Sequence, residues 1–281
     1  QYIAILISSM LRSSINRSMQ QINRNLSEIK YKRLEGKVAI VTASTQGIGF
    51  AIAKRLAEEG AKVMISSRKE ENVQNALKEL KSKNLNVCGM TCHVGKNEDR
   101  KSLLEKTIQE FHGLDILVLN AGINPSASTF FETSESVWDK IFEINVKSTF
   151  LLLRDSLPFL RKSKSASVIL LSSIVGYSPF DMLGVYSISK TTILGINQVA
   201  ANILAPEGIR VNCIAPGIIK TKFSQILYEN ETGEMMLSKI PMNKFGKSDN
   251  IGSVAAFLAS DDASYITGET IVVAGGMRSR L

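Results

Sequence analysis

Short apolar runs alternate with longer periodic segments from about residue 34 to about residue 275 of this 281-residue chain. Runs of four to seven apolar residues are typical of strands buried on both faces, whereas apolar residues recurring every three or four positions are typical of helices. The predicted strands are Lys37–Thr42, Lys62–Ser67, Asn86–Cys92, Ile116–Leu119, Ser167–Ser172, Arg210–Ile214 and Thr270–Val273. Strands that alternate with helices predict an α/β fold, a Rossmann-type doubly wound parallel sheet in a single domain.

The predicted helices occupy the intervals between these strands. They are Phe50–Glu59, a polar helix from Arg68 to about Lys81, Asp99–Phe111, a long helix from Ser134 with Thr133 as its cap, residues 186–204, and a helix that ends at Ala259. The polar segment Phe223–Ser248 is expected to be mobile.

The net charge of +8 is concentrated at the amino end. Residues 1–33 carry six basic residues and one acid, Glu28, a net charge of +5. In the remainder of the chain, acidic and basic residues are interspersed. A nucleic-acid partner is therefore not expected. This Arg-rich segment is a targeting or disordered leader, and it resembles a mitochondrial transit peptide. The alternative is upstream sequence that is translated before a start at Met10 or Met19. We expect a catalytic domain over 34–278 and a targeting tripeptide over 279–281.

Three cysteines without a pairing pattern and two histidines without CxxC spacing predict neither a disulfide framework nor a metal site. No apolar run approaches the roughly 20 residues of a membrane span.

Glycines separate the first strand from the first helix, in Ala43-Ser-Thr-Gln-Gly47-Ile-Gly49. Such a turn lets the backbone approach a pyrophosphate, which then meets the free N–H groups at the start of the helix. A plain strand-to-helix turn is the alternative. The second strand ends in Ser66-Ser67-Arg68-Lys69 with no acid until Glu70, which suits the 2′-phosphate of NADP better than the ribose of NAD. The alternative there is a pair of basic residues that opens a solvated helix.

Tyr186 and Lys190 lie four residues apart, on the same face of a predicted helix. A nearby ammonium favours the phenolate, so the pKa of Tyr186 is expected below its usual value of about 10. Ser173, at the end of the preceding strand, adds a hydroxyl that could orient a substrate oxygen. Most Tyr/Lys pairs at this spacing lie on the solvated surface of a helix. The position of this pair, directly after a strand that ends in Ser173, favours a functional role instead. Asn145, inside a predicted helix, is either incidental or present for its hydrogen bonds.

These motifs, in this order, look like the short-chain dehydrogenase/reductase family. The set comprises Thr42–Gly49, Leu119-Asn-Ala-Gly122, Asn145, Ser173, Tyr186-x-x-x-Lys190 and Pro216-Gly217, over about residues 34–275. Further stretches, such as Ser66–Lys69 and Cys92–Gly95, resemble a branch of NADPH-dependent carbonyl and retinal reductases that are usually peroxisomal and tetrameric. The terminal Ser279-Arg280-Leu281 resembles the peroxisomal S-K-L address, read by an import receptor. A mitochondrial address is the alternative if the leader is a transit peptide.

The resemblance implies a role for each matching residue. Tyr186 would be the general acid, Lys190 would lower its pKa and hold the nicotinamide ribose, and Ser173 would bind the carbonyl with Tyr186. Asn145 would anchor a water that links Lys190 to solvent. The implied NADP(H) contacts are Ala43, Ser44, Gln46, Gly47, Ile48, Gly49, Ser67, Arg68, Lys69, His93, Val94, Asn120, Ala121, Gly122, Tyr186, Lys190, Pro216, Gly217, Ile219 and Thr221.

Three positions depart from the family pattern. Ala43 replaces a glycine and would be strained if that position required a positive φ. Leu119 replaces an Asn, and His93 stands where many relatives place an Asp against the adenine. The expected activity is NADPH-dependent reduction of small hydrophobic ketones or aldehydes, possible substrates including retinal, by a homotetramer. The alternatives are a 3-oxoacyl-carrier reductase and a catalytically idle nucleotide-binding protein.

Overall fold

The computed structural model describes residues 32–125 and 129–279. Residues 1–31 of the predicted leader, together with Arg280 and Leu281 of the predicted targeting tripeptide, lie outside these ranges. Within the described ranges, no helix is long and apolar enough to cross a membrane.

Seven parallel strands form one sheet in the order β3-β2-β1-β4-β5-β6-β7. The strands are β1 Val38–Val41, β2 Lys62–Ser67, β3 Val87–Thr91, β4 Ile116–Leu119, β5 Ala166–Leu171, β6 Ile209–Pro216 and β7 Thr270–Val273. The predicted doubly wound parallel sheet is therefore confirmed. The strand order reverses between β1 and β4, and ligands of such sheets bind at this switch point.

Helices cover both faces of the sheet. They are α1 Gly47–Glu58, α2 Glu70–Lys81, α3 Asn97–Phe111, α4 Glu135–Phe142, α5 Ser148–Leu160, α6 Gly184–Leu204, α7 Asn230–Ser238 and α8 Ser248–Ala259. The side chains of α1, α2 and α8 join one apolar core, and those of α3, α5 and α6 join the other. Successive residues of β1 serve the two cores in turn: Ala39 and Val41 enter the first and Ile40 the second.

The structure adds detail that the sequence patterns did not predict in two helical segments. The segment Phe223–Ser248, expected to be mobile and polar, contains a 3₁₀ element over Lys222–Leu227 and the helix α7. The segment packs through few residues: only Gly233 and Met236 of α7 are buried, too few to give a helical apolar pattern. The predicted long helix begins at Glu135 with Ser134, not Thr133, in the cap position, and it contains a π-helical turn over Glu143–Lys147 between α4 and α5.

Candidate active site

Lys190 lies in the second turn of α6, and residues at the end of β5 hold it in place. Its side chain is buried, and its ammonium donates a 2.8 Å hydrogen bond to the carbonyl oxygen of Leu171. The hydroxyl of Ser172 donates a 2.7 Å bond to the carbonyl oxygen of Lys190. The two segments touch at Gly176, where an added Cβ would lie 3.0 Å from the Lys190 carbonyl. Leu171 thus holds the side chain of Lys190, and Ser172 holds its backbone.

The pKa of Tyr186 lies in the opposite direction from the prediction. Burial raises the pKa of the phenol to about 12, and a hydrogen bond with the Ser173 side chain lowers it only in part. The Lys190 ammonium lies 5.7 Å from the centroid of the Tyr186 ring, and burial lowers the Lys190 pKa to about 8. Desolvation therefore outweighs the attraction on which the prediction rested, and it favours a protonated phenol.

Ser173 follows β5 directly, in an extended conformation. Its hydroxyl oxygen accepts a 3.3 Å hydrogen bond from the Val175 backbone N–H. Ser173 and Tyr186 are 13 positions apart in the sequence, and the crossing of β5 and α6 places both in the lining of one pocket, described below.

Asn145 lies in the π-helical turn and is fully buried. Its amide oxygen accepts a 2.8 Å bond from the Ile123 N–H, and its amide nitrogen donates to the Ile123 carbonyl and to the Ser189 hydroxyl, both at 3.0 Å. The Ser189 hydroxyl in turn donates a 2.6 Å bond to the carbonyl oxygen of Tyr186. Of the two interpretations from the sequence, hydrogen bonding is the correct one. Ser189 carries no motif signal, so sequence reasoning missed it.

Gly122 brings the Lys190 and Asn145 side chains together. A Cβ on Gly122 would lie 3.2 Å from the Lys190 ammonium and 3.6 Å from the Asn145 amide oxygen. Any larger side chain at this position would enter the space beside Lys190.

The glycine turn places the start of α1 against the end of β4. A Cβ on Gly49 would lie 2.4 Å from the Asn120 amide nitrogen and 2.5 Å from the Ala43 carbonyl oxygen, so only glycine fits there. The φ angles of Ala43 and Gly47 are +50° and +59°. The strain foreseen for Ala43 is therefore present in the turn.

Thr42 ties this turn to β4, although sequence reasoning did not select it as a site residue. Its hydroxyl donates to the Val118 carbonyl at 3.3 Å and accepts N–H bonds from Asn120 and Ala121 at 3.0 and 3.1 Å. The Asn120 amide nitrogen donates to the carbonyl oxygens of Thr42 and Ala43. Five hydrogen bonds thus hold the two loops at the switch point of the sheet.

Two adjoining clefts open at this edge of the sheet. The first, of about 530 Å³, which we call the cofactor cleft, is lined by the predicted residues Ala43, Gln46, Gly47, Ile48, Gly49, Asn120, Gly122, Tyr186, Lys190, Pro216 and Thr221. The second, of about 270 Å³, which we call the substrate pocket, is lined by Ser173, Tyr186, Gly217, Ile219 and a set of apolar residues. Tyr186, Ile48, Ser172, Pro216, Thr221 and Phe223 belong to both clefts.

The remaining predicted cofactor contacts line neither cleft: Ser44, Ser67, Arg68, Lys69, His93, Val94 and Ala121. The buried Ser44 hydroxyl donates to the Val41 carbonyl and accepts the Ser66 N–H, so its side chain links β1 to β2 and does not face a ligand. Ser67 ends β2, the strand next to β1, which places Arg68 and Lys69 beside the glycine turn. The His93 ring nitrogen Nδ1 accepts a 3.2 Å bond from the Gly95 N–H.

The start of α1 fits a dinucleotide pyrophosphate. Helix α1 begins at Gly47 without a side-chain cap, and Gln46, Gly47, Ile48 and Gly49 all line the cofactor cleft. The first N–H groups of a helix have no partner within it and attract anions. Among the described residues no group of three or more His, Cys, Asp or Glu side chains could hold a metal ion. Cys88, Cys92 and Cys213 are free thiols, as predicted.

Several proteins of known family resemble this chain. The family described as enoyl-(acyl carrier protein) reductase matches residues 42–278. Tropinone reductase-like 3 of Erythroxylum coca is 51% identical over 89% of this chain and 96% of its own length. Dehydrogenase/reductase SDR family member 4 of Sus scrofa is 48% identical over 89% of this chain and 90% of its own length.

Solved structures agree with these relatives. A putative short-chain alcohol dehydrogenase from Sinorhizobium meliloti superposes with a TM-score of 0.82 at 34% identity, over 86% of this chain and 96% of that one. A putative gluconate dehydrogenase from Agrobacterium tumefaciens gives 0.85 at 25% identity, over 89% of this chain and 99% of that one. This chain therefore belongs to the short-chain dehydrogenase/reductase family of oxidoreductases, whose Rossmann fold implies a nicotinamide dinucleotide cofactor.

Proposed function

We propose that this protein is an NADPH-dependent reductase of neutral, hydrophobic ketones and aldehydes. The observation that carries the proposal is the position of Tyr186, whose side chain lines both the cofactor cleft and the substrate pocket. The phenol is held in its protonated form by burial, which suits a group that gives a proton to substrate oxygen.

We assign a role in the reaction to each of four side chains. A bound reduced nicotinamide would supply the hydride. Tyr186 would give its proton to the carbonyl oxygen, while the hydroxyl of Ser173, which lines the same pocket, would donate a hydrogen bond to that oxygen. Lys190 would hold the nicotinamide ribose. Asn145 would position α6 through its hydrogen bond with Ser189. That Asn145 also binds a water that links Lys190 to solvent stays a prediction.

The residues after β2 support NADPH as the cofactor. Ser67 ends β2 and Arg68 and Lys69 follow it, beside the glycine turn, where an acid would bind the ribose of NAD. A guanidinium pairs with the dianionic 2′-phosphate, and an acid would repel it.

The lining of the substrate pocket supports a neutral, apolar substrate. No charged side chain lines this pocket among the described residues. Its walls include Ile174, Val175, Leu183, Ile218, Phe223, Ile226 and Leu227. The name of the matching family favours an acyl-carrier thioester as the second candidate substrate. Such a substrate has a phosphate-bearing arm, and the described lining of this pocket includes no cation that could pair with the phosphate.

A substrate panel with the purified protein tests the proposal. We expect oxidation of NADPH with an aromatic or alicyclic ketone, followed at 340 nm, and at least tenfold lower kcat/KM with an acetoacetyl thioester. A higher kcat/KM for the thioester would make the protein a 3-oxoacyl-carrier reductase. No turnover with any carbonyl compound, together with NADPH binding, would make it an idle nucleotide-binding protein.

We extend the proposal to assembly and location. More than half of each side chain is exposed at three apolar positions, Phe150 on α5 and Val199 and Ile203 on α6. This apolar surface supports a homotetramer, which analytical ultracentrifugation tests.

The terminal tripeptide supports peroxisomal import through its receptor. Deletion of residues 279–281 should leave activity in vitro unchanged and move the protein to the cytosol, whereas mitochondrial location of both forms would identify the leader as a transit peptide.

A further inference from the structure

Positive charge is unevenly distributed between the two adjoining clefts. Among the described residues, the cofactor cleft is lined by Lys54, Lys190, Lys220 and Lys222 and by one acid, Asp249, whereas the substrate pocket has no charged lining residue. Lys190 has an assigned role at the nicotinamide ribose. The other three lysines have none, and their placement points to an anion in the cofactor cleft.

Lys222 is the best placed of the three. The preceding residue, Thr221, packs on the start of α1: a Cβ on Gly47 would lie 3.4 Å from the Thr221 methyl group. Lys222 is therefore one residue from a direct contact with the helix terminus that fits a pyrophosphate. Its side chain is exposed and forms neither an ion pair nor a hydrogen bond with any residue of 32–125 and 129–279.

Lys54 and Lys220 are less available. Lys54 lies two turns into α1, and its ammonium is 3.9 Å from the Glu58 carboxylate. Lys220 places its ammonium over the ring of Phe245, 5.7 Å from the centroid. Lys54 can still approach an anion at Gly47, because side chains of a helix lean toward its amino end.

We infer that Lys222 is a further cofactor-binding residue, which closes on the pyrophosphate of the bound dinucleotide with support from Lys54. The inference rests on the dinucleotide-binding part of the proposed function. The N–H groups at the start of α1 bind the pyrophosphate on one side, and the ammonium of Lys222 neutralises it on the solvent side. The same 3₁₀ element carries Phe223, Ile226 and Leu227 into the substrate pocket, so this contact also orders a wall of that pocket.

Direct binding of dinucleotides to the intact protein tests the inference. Lys222→Gln is titrated with NADPH and with NADH, by the change in nicotinamide fluorescence and without substrate. Because both ligands share the pyrophosphate, the dissociation constants should rise by the same factor, roughly three- to tenfold for one exposed charge-assisted contact. The effect should shrink at high ionic strength. Adenosine 2′-monophosphate, which lacks the pyrophosphate, should bind both proteins equally in a calorimeter.

Lys239→Gln is the matched control. Its ammonium lies over the ring of Phe180, 5.7 Å from the centroid, and it does not line the cofactor cleft, so the same loss of charge should leave both dissociation constants unchanged. Equal losses in the two variants would reduce the effect to general electrostatic attraction and overturn the inference.

Three other outcomes also separate the possibilities. Unchanged dinucleotide binding by Lys222→Gln overturns the inference and leaves the proposed function intact. A loss confined to NADPH and adenosine 2′-monophosphate would reassign Lys222 to the 2′-phosphate. If the wild-type protein binds neither dinucleotide, the proposed function itself is wrong.

Discussion

The Lys190 ammonium lies 5.7 Å from the centroid of the Tyr186 ring, and burial moves the pKa values of the two groups in opposite directions. The pKa of Lys190 falls to about 8 and that of Tyr186 rises to about 12. Between these two pH values the pair is a neutral amine beside a neutral phenol. An anionic cofactor next to Lys190 would restore the ammonium, so cofactor binding and protonation are coupled.

We predict that NADPH binding takes up a proton near pH 9. In the free protein most of Lys190 is neutral at that pH, and the phosphates of the cofactor favour its charged form. Calorimetry in two buffers of different ionisation enthalpy should show uptake near pH 9 and little uptake at pH 7. Lys190→Met should bind without this uptake, and an unchanged uptake in that variant would assign the proton to another group.

The unfolding free energy should depend on pH through the same lysine. Its folded pKa, about 8, lies below the ordinary value of 10.5, so the unfolded chain binds more protons between these pH values and Lys190 makes the protein more stable as pH rises through this window. Cys213 acts in the opposite direction above pH 9, because burial raises its pKa from 9.0 to about 12. The unfolding free energy of the wild type minus that of Lys190→Met isolates the lysine. This difference should rise by up to about 3 kcal/mol from pH 8 to 10.5 in urea titrations.

Tyr186→Phe should abolish reduction while NADPH binding is nearly unchanged. The ring keeps its packing, including the contact with Phe223 at 5.9 Å between centroids, and only the proton donor is lost. General acid catalysis contributes roughly 10²–10⁴-fold, so kcat should fall by that factor. Tyr265→Phe, at a fully exposed position, is the control. More than about a tenth of wild-type turnover in Tyr186→Phe would assign the acid elsewhere.

Arg68→Ala should reduce the preference for NADPH over NADH. A charge-assisted hydrogen bond to the 2′-phosphate contributes roughly 1.5–3 kcal/mol, equivalent to about ten- to a hundredfold in KM for NADPH. The KM for NADH should hardly change. Equal use of both cofactors by the wild type would contradict a 2′-phosphate contact at Arg68. A preference that survives in Arg68→Ala moves the contact to Lys69, since the Ser44 hydroxyl is already engaged within the fold.

Two glycine-to-alanine substitutions should act in opposite directions. Gly49→Ala places a Cβ within 2.5 Å of the Ala43 carbonyl, so the unfolding free energy should fall by roughly 1–3 kcal/mol and dinucleotide binding should weaken. Gly113 follows α3, with nothing within 4 Å of an added Cβ and no positive φ. Gly113→Ala should therefore raise the unfolding free energy by roughly 0.4–1 kcal/mol without changing binding. Equal effects in denaturant titrations would mean that α1 and β4 can separate at little cost.

Much of the fold could be predicted from local patterns. Buried strands such as Ile116–Leu119 are apolar throughout, because helices cover both faces of the sheet, and α1 shows its period of 3.6 in the same way. The spacing of Tyr186 and Lys190 is by itself enough to place them on one helical face. Gly47 in the glycine turn is similarly local, because glycine adopts a positive φ without strain, whereas the positive φ of Ala43 does not follow from its residue type.

Tertiary structure alone decided the chemistry of the same residues. Local reasoning placed an ammonium beside the Tyr186 phenol and predicted a lower pKa, but the desolvation that raises it comes from the packing of β5 against α6. Asn145 meets Ile123 and Ser189, its partner 44 positions away, through a π-helical turn that no propensity indicates. Helix α7 buries only Gly233 and Met236, so its own residues carry no helical apolar period that would predict it. Desolvation and long-range contacts depend on which segments the fold brings together, and no local pattern of the chain contains that information.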